Sequence, residues 1–246
     1  MPSQNRRSFS QQIVRVWQEQ VHAKFPLLLT TIPITGLIVA ILSVWGFLEL
    51  ADEVLEKQTK AIDTNILLAI KPLHTPLLDY VMHGFSILGG TVVVTLVCLG
   101  LGVTFWRRRR KAEFKALAIA AIGAVSLNLV IKFMFDRDRP ELWELVEGKT
   151  HTSSFPSGHA MMSLVIYGLV GYFLAVRFPR RRWWIAIGTI LLVSIIGFSR
   201  LYLGIHWPTD VVAGYAAGLI WLVTAILYLE VHRGRQAARQ RLRKSS

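Results

Sequence analysis

Three short stretches of the chain hold the residue types that phosphoryl chemistry needs: Lys132 to Pro140, Pro156-Ser157-Gly158-His159, and Ser199-Arg200 followed by His206 and Asp210. Together they supply three fixed cations, two imidazoles and a carboxylate. Hydrolysis of a phosphate ester needs the charge on its equatorial oxygens balanced, a nucleophile in line with the leaving group, and a proton for the leaving oxygen. Without a metal, Lys, Arg and backbone N–H groups must do the balancing. This set is complete for that chemistry.

Each residue also has a plainer reading. Lys132 and Arg139 sit at the end of an apolar span, where basic side chains often reach for headgroups. Paired, followed by Pro140 and accompanied by the other stretches, they are expected to bind phosphate, Arg139 through its planar fork and Lys132 as a point charge. Arg137, between Asp136 and Asp138, is expected to pair locally. Ser157 suits a helix cap, and Gly158 allows close backbone approach at a helix start that favours an anion. His159, at the water boundary, can give a proton to a leaving alkoxide. Pro208 fits the first turn of a helix that places Asp210 four residues beyond His206. Asp210 can cap that helix or orient one nitrogen of His206, leaving the other free to attack phosphorus. His22, His74, His83, His151 and His232 read as structural or solvent histidines, with His151 the closest in sequence to the first two stretches.

The elements that must position these residues are apolar. The chain is 53% hydrophobic and 17% charged, with mean hydropathy +0.45, values typical of an integral membrane protein. A span needs about 20 apolar residues to cross ~30 Å of hydrocarbon. Six such spans are expected, at roughly 27–48, 78–105, 113–135, 158–177, 183–201 and 209–230. The fold class is thus all-α and polytopic, one domain over 1–246: a tail at 1–26, a six-helix core at 27–230 and a basic tail at 231–246. The second span is overlong, and its Gly89-Gly90 pair is tolerable in a membrane helix. Segment 50–77 carries Ile62, Ile66, Leu67 and Ile70 at helical spacing, which fits an interfacial helix or a connector packed on the bundle equally well.

Charge placement sets topology. The amino-terminal tail and the 107–115, 177–182 and carboxy-terminal segments carry four, six, four and six of the basic residues, 20 of 28 in all. The opposite side is rich in Asp and Glu. Both termini are therefore expected in the cytoplasm, with all three chemical stretches meeting on the other side. The net charge of +13 is read as topology and contact with anionic lipid rather than nucleic-acid binding, because the basic residues cluster beside apolar spans. The single Cys98 excludes an intrachain disulfide or a thiolate metal cluster, and it reads as a small core residue. The amino terminus lacks the pattern of a cleaved signal peptide. No cofactor or metal is called for, and nothing in the pattern sets an oligomeric state.

The stretches K-x6-RP at Lys132 to Pro140, PSGH at Pro156 to His159 and SR-x5-H-x3-D at Ser199 to Asp210 resemble, complete and in order, the signature of the type-2 phosphatidic acid phosphatase superfamily. The six-span layout is similar to its membrane branch. The resemblance implies a membrane lipid phosphate phosphatase with His206 as nucleophile, Asp210 orienting it and His159 as general acid. It implies that Lys132, Arg139, Ser157, Gly158 and Arg200 hold the phosphate. Expected substrates are phosphatidic acid, phosphatidylglycerol phosphate and related lipid phosphates, in the plasma (inner) membrane of a bacterium. Undecaprenyl pyrophosphate phosphatase activity is the alternative. A non-catalytic lipid-phosphate binder or flippase is disfavoured by the presence of both histidines. A haloperoxidase, soluble in its known forms, is disfavoured by the six spans.

Overall fold

The structure, a computed structural model, describes residues 34–140, 142–143 and 152–245, with side chains described through residue 236. The start of the expected first span, His22 and His151 lie outside the described residues. The described chain is helical: α1 Ile34–Leu55, α2 Lys60–Ile70, α3 Pro76–Gly89, α4 Thr91–Arg107, α5 Lys111–Met134, α6 Gly158–Arg177, α7 Arg182–Tyr202 and α8 Pro208–Ser245. Five described helices are long and apolar enough to cross a membrane, and α3 with α4, bent by 45° at the break between them, pass the same test only as a pair. The protein is thus a multi-pass, all-helical membrane protein.

Where one continuous second span is expected, the structure has this bent pair. At Gly90 the backbone leaves the helical region (φ −70, ψ 156), ending α3 and starting α4. The Thr75 hydroxyl caps α3 by accepting from the Leu78 N–H at 3.3 Å, and Pro76 occupies its first turn. The first span runs to Leu55, past the expected end at 48, because Ala51 and Val54 still find a buried apolar face against Ile131 and Phe155.

Helix α6 is the centre of the bundle, packed against α5, α7 and α8. Met161, Val165, Ile166 and Leu169 on α6 are fully buried with Ala120 and Ala124 of α5 and Ala225 and Leu229 of α8. Small residues let α6 and α8 come close, as membrane helices without a hydrophobic drive between them require. A Cβ at Gly214 would lie 2.6 Å from the Ser157 carbonyl oxygen, and one at Gly218 would lie 3.0 Å from that of Met161.

Helices α5 to α8 alternate in direction, so Lys132 at the end of α5, Gly158 at the start of α6, Arg200 at the end of α7 and Pro208 at the start of α8 share one end of the bundle. The basic runs at Arg107–Lys111 and Arg177–Arg182 share the other. Segment 50–77 combines features of both expectations. Asp63, Leu67 and Ile70 of α2 are buried against α7 and α8, while Ile62 and Leu68 stay exposed.

Candidate active site

The site is assembled from four helix ends. Helix α5 stops at Met134 and the chain turns extended from Phe135 (φ −112, ψ 123). Lys132, in the last turn of α5, donates to the Ser153 carbonyl at 2.6 Å. Arg139 donates to the carbonyl oxygen of Ile205 at 3.0 Å and to the Thr152 hydroxyl at 3.2 Å.

Helix α6 begins at Gly158. The Ser157 hydroxyl accepts from the Ala160 N–H at 3.4 Å, so the serine is a helix cap as its type predicts. The first N–H groups of a helix have no acceptor within it, and here they point where positive potential favours an anion. A Cβ on Gly158 would come 3.3 Å from Asn128 Oδ1, so α5 closes one side of this helix start.

Helix α7 ends in a glycine cap. Gly204, at φ +67, adopts the left-handed conformation, the Ile205 N–H reaches the Arg200 carbonyl at 3.1 Å, and the Gly204 N–H reaches that of Leu201 at 3.0 Å. This turn reverses the chain and sets His206 beside Arg200. Both side chains are buried, and the Arg200 guanidinium donates to the Ser86 hydroxyl on α3.

Asp210 makes the contacts that both readings of it require. Its Oδ2 accepts from the Trp207 N–H at 2.9 Å, capping α8, and lies 3.3 Å from His206 Nδ1. Asp210 is completely buried. Burial pushes the His206 pKa down to about 4; the Asp210 carboxylate opposes this, and Arg200 and Arg139 reinforce it. His206 is therefore neutral at pH 7, with Nδ1 turned to the carboxylate.

Lys132, Arg139, Gly158, His159, Arg200 and His206 line one cavity of about 520 Å³. Ser157 and Asp210, both fully buried, stand behind this wall. Val94 of α4 and Val125 and Leu129 of α5 line the same cavity. All eight residues singled out by type and spacing are thus at one place.

Arg137 departs from expectation. It does not pair with Asp136 or Asp138; it bridges Asp63 at 2.7 Å and Asp210 at 2.5 Å. In extended backbone successive side chains point to opposite sides. Asp136 and Asp138 are exposed, so Arg137 turns inward. Sequence reasoning also missed Asp63, Asn128 and Gly89. The signal for Asp63 was available: a lone acid on the same helical face as Leu67 and Ile70.

The sequence pattern of the PAP2 superfamily matches residues 113–233. Phosphatidylglycerophosphatase B of Bacillus subtilis (strain 168) is 32% identical over 181 residues, which is 71% of this chain and 86% of that protein. The chain belongs to the PAP2 superfamily. Its bundle also matches the crystal structure of a transmembrane PAP2-type phosphatidylglycerolphosphate phosphatase from Bacillus subtilis, with TM-score 0.69 and 27% identity over 76% of this chain and 93% of that one. An undecaprenyl-diphosphatase of Sulfolobus acidocaldarius is 36% identical over 117 residues, 46% of this chain and 53% of that protein. This PAP2 protein is accordingly a membrane phosphatase. The matched segment holds all eight site residues, whereas Asp63 and Gly89 lie outside it.

Proposed function

We propose that this PAP2 phosphatase hydrolyses the terminal phosphate of lipid phosphates through a phosphohistidine at His206. Lys132, Arg139, Arg200 and the N–H groups at Gly158 and His159 hold the phosphate oxygens. The Nε2 lone pair of neutral His206 attacks phosphorus. The P–O bond to the lipid breaks, and His159 gives its proton to the leaving oxygen. Asp210 stabilises the imidazolium formed as Nε2 takes the phosphoryl group, with Nδ1–H directed at its Oδ2. Water then attacks phosphorus and gives a proton to His159. The P–N bond breaks, and phosphate leaves with His206 and His159 restored.

The observation that carries the substrate class is the mixed lining of one cavity, in which the cations and imidazoles are joined by Val94, Val125, Leu129 and Met162. A lipid places its phosphate and first methylenes along such a surface. The named relatives support phosphatidylglycerol phosphate first and polyprenyl diphosphates second. The orientation we infer is a bacterial plasma membrane with cytoplasmic termini and the site facing outward. It is supported by the basic runs at the end of the bundle opposite the cavity.

The test is kcat/KM for phosphatidylglycerol phosphate and phosphatidic acid of increasing acyl length, beside glycerol 3-phosphate, in mixed micelles. Tail burial is worth ~0.8 kcal/mol per methylene, so the lipid is expected to win chiefly through a KM that falls with chain length. Equal values for lipid and glycerol 3-phosphate would refute the lipid reading.

A further inference from the structure

Behind Asp210 lies a charge chain, Arg137 and Asp63, that the mechanism above does not use. Asp63 of α2 is fully buried although it carries a carboxylate. Its Oδ1 accepts from the Thr209 N–H at 3.1 Å. Its Oδ2 accepts from the Thr209 hydroxyl and from Arg137 Nη2, both at 2.7 Å. Arg137 Nη1 donates to Asp210 Oδ1 at 2.5 Å and to Thr209 Oγ1 at 2.8 Å. The guanidinium lies 5.7 Å from the centre of the Trp207 ring. One planar cation thus spans two buried carboxylates, the arrangement for which Arg is suited and Lys is not.

We propose that Asp63 and Arg137 are positioning residues that hold Asp210, and through it His206, in the geometry and charge state the reaction needs. This rests on His206 being the nucleophile. Two effects combine. With Oδ1 held by Arg137 and Oδ2 shared between Trp207 N–H and His206, the Asp210 carboxylate has one orientation, and so has the imidazole. The second effect is electrostatic. Arg137 alone would cancel the charge of Asp210 and weaken its hold on the imidazolium. Asp63 cancels Arg137 instead, so the three groups keep one negative charge facing His206. Among the described residues, the other charged or titratable groups facing His206 are Arg200 from α7, His159 from α6, and Lys132 and Arg139 from α5 and the chain after it; each disfavours a cation there when charged. Among the described residues, Asp210 is then the favourable partner of His206, and its charge must stay uncancelled. Asp63 lies on α2, outside the residues that match the family pattern, whereas Arg137 and Asp210 lie inside them.

The test uses the full chain in detergent micelles with a lipid phosphate substrate. First, an acid-labile phosphoenzyme is sought in the unaltered protein; its absence would overturn the His206 mechanism itself. With it present, Asp63→Asn keeps an acceptor for the Thr209 N–H but removes the charge. The expected result is kcat lower by roughly 10–100-fold, the size seen for partners that orient metal-ligating histidines, with KM little changed. The acid limb of kcat/KM should move to lower pH, because an uncompensated Arg137 opposes protonation of His206. Adding Arg137→Gln restores the charge balance with two neutral side chains that still hydrogen-bond. It should return the acid limb to its original position and recover most of kcat. If Asp63 only caps α8, the single variant leaves the acid limb in place and the second substitution rescues nothing; that result overturns the inference. If Asp63→Asn does not fold, Arg137→Lys carries the test. An ammonium reaches one carboxylate rather than two, so kcat should fall at constant KM, and an unaltered kcat would overturn the inference.

Discussion

The Ser157 N–H donates to the Asp210 carbonyl oxygen at 2.9 Å, tying the helix start that faces the phosphate to the helix start that orients His206. Two stretches far apart in sequence are fixed to each other by backbone, and the crossing below them has no room to spare. A Cβ at Gly214 would meet the Ser157 carbonyl oxygen at 2.6 Å and the Met161 N–H nitrogen at 3.3 Å. Gly214→Ala is therefore expected to force α6 and α8 apart at the site. Overpacking of this kind costs about 1–3 kcal/mol. The unfolding temperature in detergent should fall and kcat should fall with it. A variant with both unchanged would show that the crossing does not set the site.

The buried neutral His206 makes stability depend on pH. In the unfolded chain the imidazole protonates near its ordinary 6.5, whereas in the folded protein burial holds the pKa at about 4. Between these values the unfolded state binds the extra proton, so stability falls as pH falls through this window and is fully present above it. The His206 contribution is on the order of 3 kcal/mol between the two limits. Unfolding temperatures measured from pH 7 down to pH 4 should therefore drop more steeply for the unaltered protein than for His206→Gln. Parallel curves would mean that the folded imidazole protonates as freely as an exposed one.

Phosphate charge in this mechanism is met by Lys132, Arg139, Arg200 and the start of α6. Activity is therefore expected to survive EDTA. Vanadate, which adopts the five-coordinate geometry of phosphorus in flight, should inhibit competitively. Complete loss in EDTA with recovery on adding magnesium would contradict this charge balance.

Orientation is accessible to labelling. Gln58 lies in the exposed turn between α1 and α2, and Arg108 in the exposed turn between α4 and α5. With the half-buried Cys98 in α4 as background, Gln58→Cys should react with an impermeant maleimide in intact cells and Arg108→Cys should not. The reverse pattern would invert the membrane orientation.

The site was legible in the sequence where chemistry depends on local spacing. His206 and Asp210 occupy one helical turn, and Ser157 with Gly158 announces a helix start. The spans were legible because about 20 apolar residues in a row match the thickness of a bilayer's hydrocarbon core. What was hidden depends on contacts between distant segments. Arg137 had two acids beside it, and only the extended course of the chain after α5 sends it to Asp63 and Asp210 instead. The break at Gly90 was masked because hydropathy stays high on both sides of it, and hydropathy does not record backbone direction. The need for glycine at Gly214 shows only when Ser157 is laid against it.

The central claim is that His206 takes the phosphoryl group. The direct measurement is rapid acid-free quenching of the enzyme with a lipid substrate labelled in its terminal phosphate, followed by peptide mapping of the acid-labile label. The expected result is label on the peptide containing His206, none in His206→Ala, and in His159→Ala a slower appearance of label by ~10²-fold for a lipid leaving group. Wild-type turnover by His206→Ala, or label that maps to another residue, would contradict it.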